Sequence, residues 1–317
     1  MSAQPRQSAR SFDCFGGRAT VIVEGTSAAG RGAGLATVLA QARLQDVHPR
    51  LTRFDPGSEL SLLNADAGHV VFAGRLLRLL ARAVVDAGER SGGLVDATRI
   101  GALEQAGYAT SRAGVAGLEL DDMIAAAPAR RPAQPHPARA WASIDVDDDE
   151  RTIARPPGVR IDSGGLAKGL AADLLAATLA EHPAFAIDCG GDVRIGGSAG
   201  TPRAVIVANP FGGPPAHRLQ ITSGAAATSG IGRRSWRTDG DGPPAHHLID
   251  PATGRPAWTG VVQATAFAPS ALEAEVLAKT ALLSGPATGR ATLEHGGVLI
   301  LDDGAVHIVD APVMQAA

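Results

Sequence analysis

The chain has little with which to staple or anchor itself. Of 317 residues only two are cysteine, Cys14 and Cys189, with no Cys-x-x-Cys or Cys/His spacing, so neither a disulfide framework nor a zinc site is implied. Nowhere do roughly 18 apolar residues follow one another without a charge, which argues against a membrane span. The first ten residues are polar and no apolar run follows them, so no signal peptide is expected and the default location is the cytoplasm. Net charge is only −3, with acids and bases intermixed. That leaves no broad basic field for nucleic acid and points instead to a small molecule or a protein as partner.

What is present reads as a soluble globular protein long enough for one large core or two modest lobes. Arg18 to Glu24 is a β-branched strand, and a helix is expected from Leu35 to Val47. Between them, Gly30-Arg-Gly-Ala-Gly34 is not a dinucleotide fingerprint: its third glycine is one residue early and no ribose-binding acid follows at the right distance. Residues 75–90 place Leu76, Leu79, Leu80, Val84 and Ala87 on one side of a helix, and a short strand into Asp96 should follow. Residues 125–140, rich in Ala, Pro and Arg, read as a surface linker between a lobe at 1–124 and a second at 141–317.

The second lobe is strand-rich: 142–146, 152–154, 159–162, 184–188, 193–195, 204–207, 248–249 and 261–268, with helices at 166–179 and 272–283. Strands joined mainly by turns, with helices inserted, predict an α+β architecture in two lobes rather than a doubly wound parallel sheet.

Four segments hold residue types that carry chemistry. Val159-Arg-Ile-Asp-Ser-Gly-Gly-Leu-Ala-Lys-Gly169 runs from a strand through paired glycines into a helix. Such a turn lets backbone N–H groups face an anion, with Lys168 adding charge and Asp162 placed to accept from a ribose or a ring N–H. It reads equally as a tight turn with a solvated lysine. Phe185 to Ile195 is a hairpin about Gly190-Gly191. In Ala227-Thr-Ser-Gly-Ile-Gly-Arg-Arg234 the two guanidinium forks suit phosphate or carboxylate oxygens, and His247, just ahead of the Asp250-Pro-Ala-Thr-Gly254 turn, suits a general base. On the last helix, Glu275 and Lys279 stand four apart in the favourable order for an ion pair.

In this order the segments resemble the ApbE family of FAD:protein FMN transferases over most of the chain. The resemblance is carried by Phe54-Asp-Pro-Gly-Ser-Glu-Leu-Ser-Leu-Leu-Asn64, Leu94-Val-Asp-Ala-Thr98, Asp162 to Gly169, Gly190-Gly-Asp192, Thr228-Ser-Gly230 and His247-Leu-Ile-Asp-Pro-Ala-Thr-Gly254. It implies a T-fold-like α+β architecture and an enzyme that binds FAD with magnesium, splits the pyrophosphate and passes FMN to a Ser/Thr of an acceptor protein, releasing AMP. Relatives that hydrolyse FAD to FMN and AMP, or a catalytically weak flavin-binding protein, are the alternatives. Carried over, His247 would activate the acceptor, while Phe15, Leu94, Val95, Asp96, Asp162, Lys168 and Ile249 would contact FAD.

The resemblance places the Gly165 carbonyl at a metal. The family's metal helix, Ala-Asp-x-x-Ala-Thr, has Glu275 and Lys279 here in place of the Asp and the Thr, with Thr280 one residue late. An ammonium where a ligand hydroxyl belongs would repel magnesium. Lys279 is therefore expected to occupy part of the metal site and to supply the positive charge itself.

Overall fold

The computed structural model describes residues 7–310 apart from Asp239. Its centre is one eight-stranded antiparallel sheet whose strands lie side by side in chain order: Gln7–Cys14, Gly17–Glu24, Ala184–Cys189, Val193–Gly196, Gly224–Gly230, Val261–Ala268, Gly297–Leu301 and Val306–Val309. Antiparallel neighbours need only short connections, and the larger insertions between them become the helices. The fold class is α+β, as the strand-and-turn pattern predicts. The first two strands precede residue 124 and the other six follow residue 141, so both stretches contribute to one sheet.

Alternation sets the faces. Ala19, Val21 and Val23 are buried on the helical side, where helices Ala33–Leu51, Ala167–Leu179 and Ala271–Thr292 lie against successive strands. Ala36, Ala40, Leu44, Val47 and Leu51 form the inward stripe of the first helix. Helix Arg75–Arg90 packs over the other two, and Gly88 lets Trp141 approach so closely that an added Cβ would lie 2.2 Å from its indole. The opposite sheet face is covered by the hairpin Arg203–Val207/His217–Ile221, with Ile195, Val205, Ile221, Ala226 and Phe267 as a second small core.

Three expected strands are absent from the ladders. Residues 94–96 pass through a bend, 159–162 run without a strand partner, and 248–249 make only an isolated bridge from Ile249 to Pro256. The backbone at 159–162 is satisfied otherwise: the Asn64 side chain accepts from the Ile161 N–H and donates to its carbonyl, both at 2.8 Å, and the Asp162 N–H donates to Ala97 at 2.8 Å. The 125–140 stretch is more than a surface excursion. The Arg131 N–H donates to the Trp258 carbonyl (2.9 Å), that of Ala133 to the Leu283 carbonyl (2.8 Å) and that of Gln134 to the Asp250 carboxylate (3.0 Å). Among the described residues no helix is long and apolar enough to cross a membrane.

Candidate nucleotide site

The site is lined by several loops, by the start of helix Ala167–Leu179 and by the middle of helix Ala271–Thr292. Ser58 caps helix Glu59–Ala65, accepting from the Ser61 N–H at 3.0 Å, and that short helix delivers Asn64 to its clamp on Ile161. Ser163, next along, donates its hydroxyl to the Leu51 carbonyl at 2.6 Å. Asp162 is thus held between two fixed points, its carboxylate 3.2 Å from the Arg53 guanidinium. Arg53 in turn lies over the rings of Phe54 and Tyr108, at 4.2 and 4.9 Å.

Two open cavities adjoin here. The first is walled by Phe15, His48, Arg53, Phe54, Ser163 and Lys168; the second by Leu94, Val95, Asp96, Gly165, His247, Ile249 and Lys279. Tyr108, Asp162, Gly164 and Arg234 line both. All the residues expected to contact FAD therefore face one or other cavity, and Asp162 faces the two. Glu275 lies behind them, 1% exposed.

Several of these side chains already have protein partners. Phe15 and Gly16 are the two-residue turn between the first two strands, with φ of 54° and 68°; a type I′-like turn demands such values, and they are rare for a bulky residue. The Phe15 ring sits edge-on to His48, centroids 5.1 Å apart. Asp96 accepts from the Thr98 N–H and hydroxyl, so it closes its own turn as well as facing the cavity. Ile249 is fixed by its bridge to Pro256.

Beneath the Asp162–Gly169 turn lies a buried ionic group. Lys168 pairs with Asp192, and its ammonium is 3.9 Å from Glu275. Lys279 pairs with the same Glu275 oxygen, Oε1, at 3.0 Å, while Oε2 accepts from the Gly169 N–H at 2.9 Å. Burial opposes the charge on Lys168, but Asp192 and Glu275 outweigh it and raise its pKa above lysine's ordinary value. Burial wins at Lys279, which is lowered despite Glu275. Glu275 is held below the usual carboxylate range: burial works against it, and Lys279, Lys168 and the Gly169 N–H together prevail.

The glycines serve this packing. A Cβ on Gly165 would lie 3.1 Å from the Lys279 stem, and one on Gly169 would lie 2.6 Å from the Leu272 Cα. Gly165 therefore makes room for a lysine, and Gly169 for a helix crossing.

These residues do not fit a divalent cation. Magnesium asks for a near-octahedral shell of oxygens, yet both Glu275 oxygens are engaged and the next position along the helix face is an ammonium. The Thr280 hydroxyl turns back to donate to the Val276 carbonyl at 2.8 Å.

His247 faces the second cavity, half-buried. Its Nδ1 lies 3.4 Å from the Arg234 carbonyl, which can only accept, so the proton belongs on Nδ1 and the Nε2 lone pair is free. Burial, followed by the charges of Arg234, His246 and Lys279, pushes its pKa well below the ordinary imidazole value, so the ring is neutral at pH 7.

The family model of the ApbE family matches residues 15–301. The chain belongs to the ApbE family. Among curated proteins it is 30% identical over 245 residues to an FAD:protein FMN transferase of Treponema pallidum, a match covering 72% of this chain and 65% of that protein. With the Escherichia coli FAD:protein FMN transferase it shares 28% identity over 150 residues, 45% of this chain and 42% of that one. The matched stretches thus span less than two thirds of these relatives.

Among solved structures, the ApbE protein of Thermotoga maritima superposes with a TM-score of 0.76 at 22% identity, over 96% of this chain and 97% of that one. The apo flavinyl transferase ApbE of Pseudomonas stutzeri does so with 0.75 at 21%, over 98% and 96%. This likeness extends the family's fold to nearly the whole chain.

Arg53, Tyr108 and Asp192 complete the site together with Arg234, whose guanidinium fork the sequence pattern suits to phosphate or carboxylate oxygens. Asp192 and Arg234 sat in segments already singled out, and Tyr108 is the chain's one tyrosine. Only the fold brings Arg53 and Tyr108 together.

Proposed function

We propose that this protein is an FAD:protein FMN transferase, with FAD spread over the two cavities and His247 as the base. The observation that carries the reading is the pair of cavities joined along Asp162, Gly164 and Arg234, with a neutral histidine on the wall of one of them. A dinucleotide has two ring systems joined by a pyrophosphate, and a two-chambered cleft with Arg234 at its junction and Lys168 and Lys279 on its separate walls suits that shape. The relatives' names supply the reaction class.

In the reaction, a Ser or Thr hydroxyl oxygen of an acceptor protein attacks the flavin-side phosphorus. The bond from that phosphorus to the bridging oxygen breaks, the electron pair leaves with AMP, and the hydroxyl proton passes to His247 Nε2. Asp162, Phe15, Leu94, Val95, Asp96 and Ile249 hold the two halves of FAD in place. Lys168, kept protonated by Asp192 and Glu275, supplies fixed positive charge near the cleft. Lys279 takes the place of the family's metal-binding hydroxyl, so no step is assigned to magnesium.

The test is incubation of the purified protein with FAD, with and without magnesium, resolving FAD, FMN and AMP. Covalent flavin on an added Ser/Thr target, together with AMP, supports transfer. Free FMN with AMP points to hydrolysis, and intact bound FAD to a binding protein.

A further inference from the structure

The chain carries adjacent arginines, Arg233 and Arg234, and their surroundings separate them. Arg233 is exposed and donates to the Gly190 carbonyl at 2.9 Å, which ties it to the hairpin turn. Arg234 is half-buried, lines both cavities and has no carboxylate within 4.0 Å among the described residues. Its one side-chain bond is to the Phe15 carbonyl at 3.3 Å, from a single guanidinium nitrogen. Among the described residues the remaining donors of the fork have no hydrogen-bond partner.

Its neighbours on the shared wall sharpen its role. Asp162 is answered by Arg53, and Lys168 by Asp192. Lys279, on the second cavity, is answered by Glu275. Among the described residues Arg234, like Arg99 on the wall of the second cavity, has no salt-bridge partner, but of the two only Arg234 lines both cavities. It is close enough to oppose a second positive charge on both Lys168 and His247. A half-buried guanidinium without a counter-ion, presented to two chambers at once, is matched by an anion that runs from one chamber to the other. Its main chain also serves the site, because the Arg234 carbonyl is the group that fixes the His247 tautomer.

We infer that Arg234 is a substrate-binding residue whose guanidinium fork clamps the pyrophosphate of a dinucleotide at the junction of the two cavities. The inference rests on the FAD reading and adds to it the point where the phosphates cross. A structural role limited to holding the Phe15 turn would leave phosphate recognition untouched, so the two are separable.

The experiment compares wild type, Arg234→Gln and Arg234→Lys for binding of FAD and of riboflavin, which lacks phosphate, by flavin fluorescence quenching. All three should share one far-UV circular dichroism spectrum. Arg234→Gln is expected to weaken FAD binding by about 10- to 100-fold, as for loss of a charge-assisted bidentate contact, and riboflavin binding by less than about twofold. Arg234→Lys should fall between, because an ammonium keeps the charge without the fork. Equal loss of FAD and riboflavin, or unchanged FAD binding in Arg234→Gln, would overturn the inference while leaving the FAD site standing. Wild type that holds no FAD at all would overturn the FAD reading itself, and this inference with it.

Discussion

At the scale of single residues, the site turns on how burial is answered. His247 is neutral because burial and neighbouring positive charge, above all that of Arg234, disfavour its protonated form, and a neutral imidazole is what a base requires. Since its pKa lies well below 6.5, the ring stays deprotonated as the pH falls through that value. AMP release should accordingly hold level from pH 7 down past 6.5, with its acid limb below the ordinary histidine value; a limb centred at or above 6.5 would contradict the assignment. His247→Gln should keep FAD binding and lose about 10²- to 10⁴-fold in AMP release. Lys279 presents the complementary case. With both Glu275 oxygens engaged, FAD binding by the wild type should be indifferent to magnesium. Lys279→Thr frees one oxygen and restores a hydroxyl, so its FAD affinity should rise on titration with magnesium; strong magnesium dependence in the wild type would sink the idea. The substitution behind this account is legible in the bare sequence, because Glu275 and Lys279 stand at fixed helical spacing. What was not legible is that Gly165 makes room for the lysine stem and that Thr280 turns away.

At the scale of elements, helices are easier to read than the segments that line the two cavities. Apolar periodicity located helices Ala33–Leu51, Arg75–Arg90, Ala167–Leu179 and Ala271–Thr292, though the first and last run beyond the expected ends. The last continues through a kink where Gly285 has φ 77° and Pro286 follows. The 159–162 and 94–96 segments have strand-like composition but no ladder, since a side-chain amide and turn hydrogen bonds satisfy their backbone instead. Local composition does not announce a partner about a hundred residues away in the chain.

Helix Ala167–Leu179 meets the start of helix Ala271–Thr292 through Gly169 and Asp173. The Asp173 carboxylate accepts from the Ala271 and Leu272 N–H groups, each at 2.9 Å. Gly169→Ala would drive a methyl into backbone that cannot give way. It should cost about 1–3 kcal/mol, read as a lower thermal midpoint, and weaken FAD binding because the Gly169–Glu275 hydrogen bond supports the ion cluster. An unchanged midpoint would show that the crossing is looser than described.

At the scale of the whole molecule, the sequence-level division into two lobes meets a single sheet. Strands Gln7–Cys14 and Gly17–Glu24 join Ala184–Cys189 along a continuous ladder, and one core cluster runs from Cys14 to Ile300. A composition shift such as that at 125–140 marks where the chain changes character, not where the hydrogen-bond network ends. Unfolding in urea, followed by tryptophan fluorescence from Trp141, Trp236 and Trp258 and by far-UV circular dichroism, should therefore give coincident single transitions. Two separated transitions would restore the two-lobe division.

The cleft matters because of what it would do to FAD, and the most direct measurement is a balance sheet of products. Purified protein, FAD and a library of Ser/Thr-containing peptides are incubated together, and AMP is quantified beside flavin covalently attached to peptide, for wild type and His247→Gln. The account predicts AMP and attached flavin in equal amounts from the wild type and neither at a comparable rate from the variant. FAD left whole by the wild type, or AMP released as fast without His247, would contradict it.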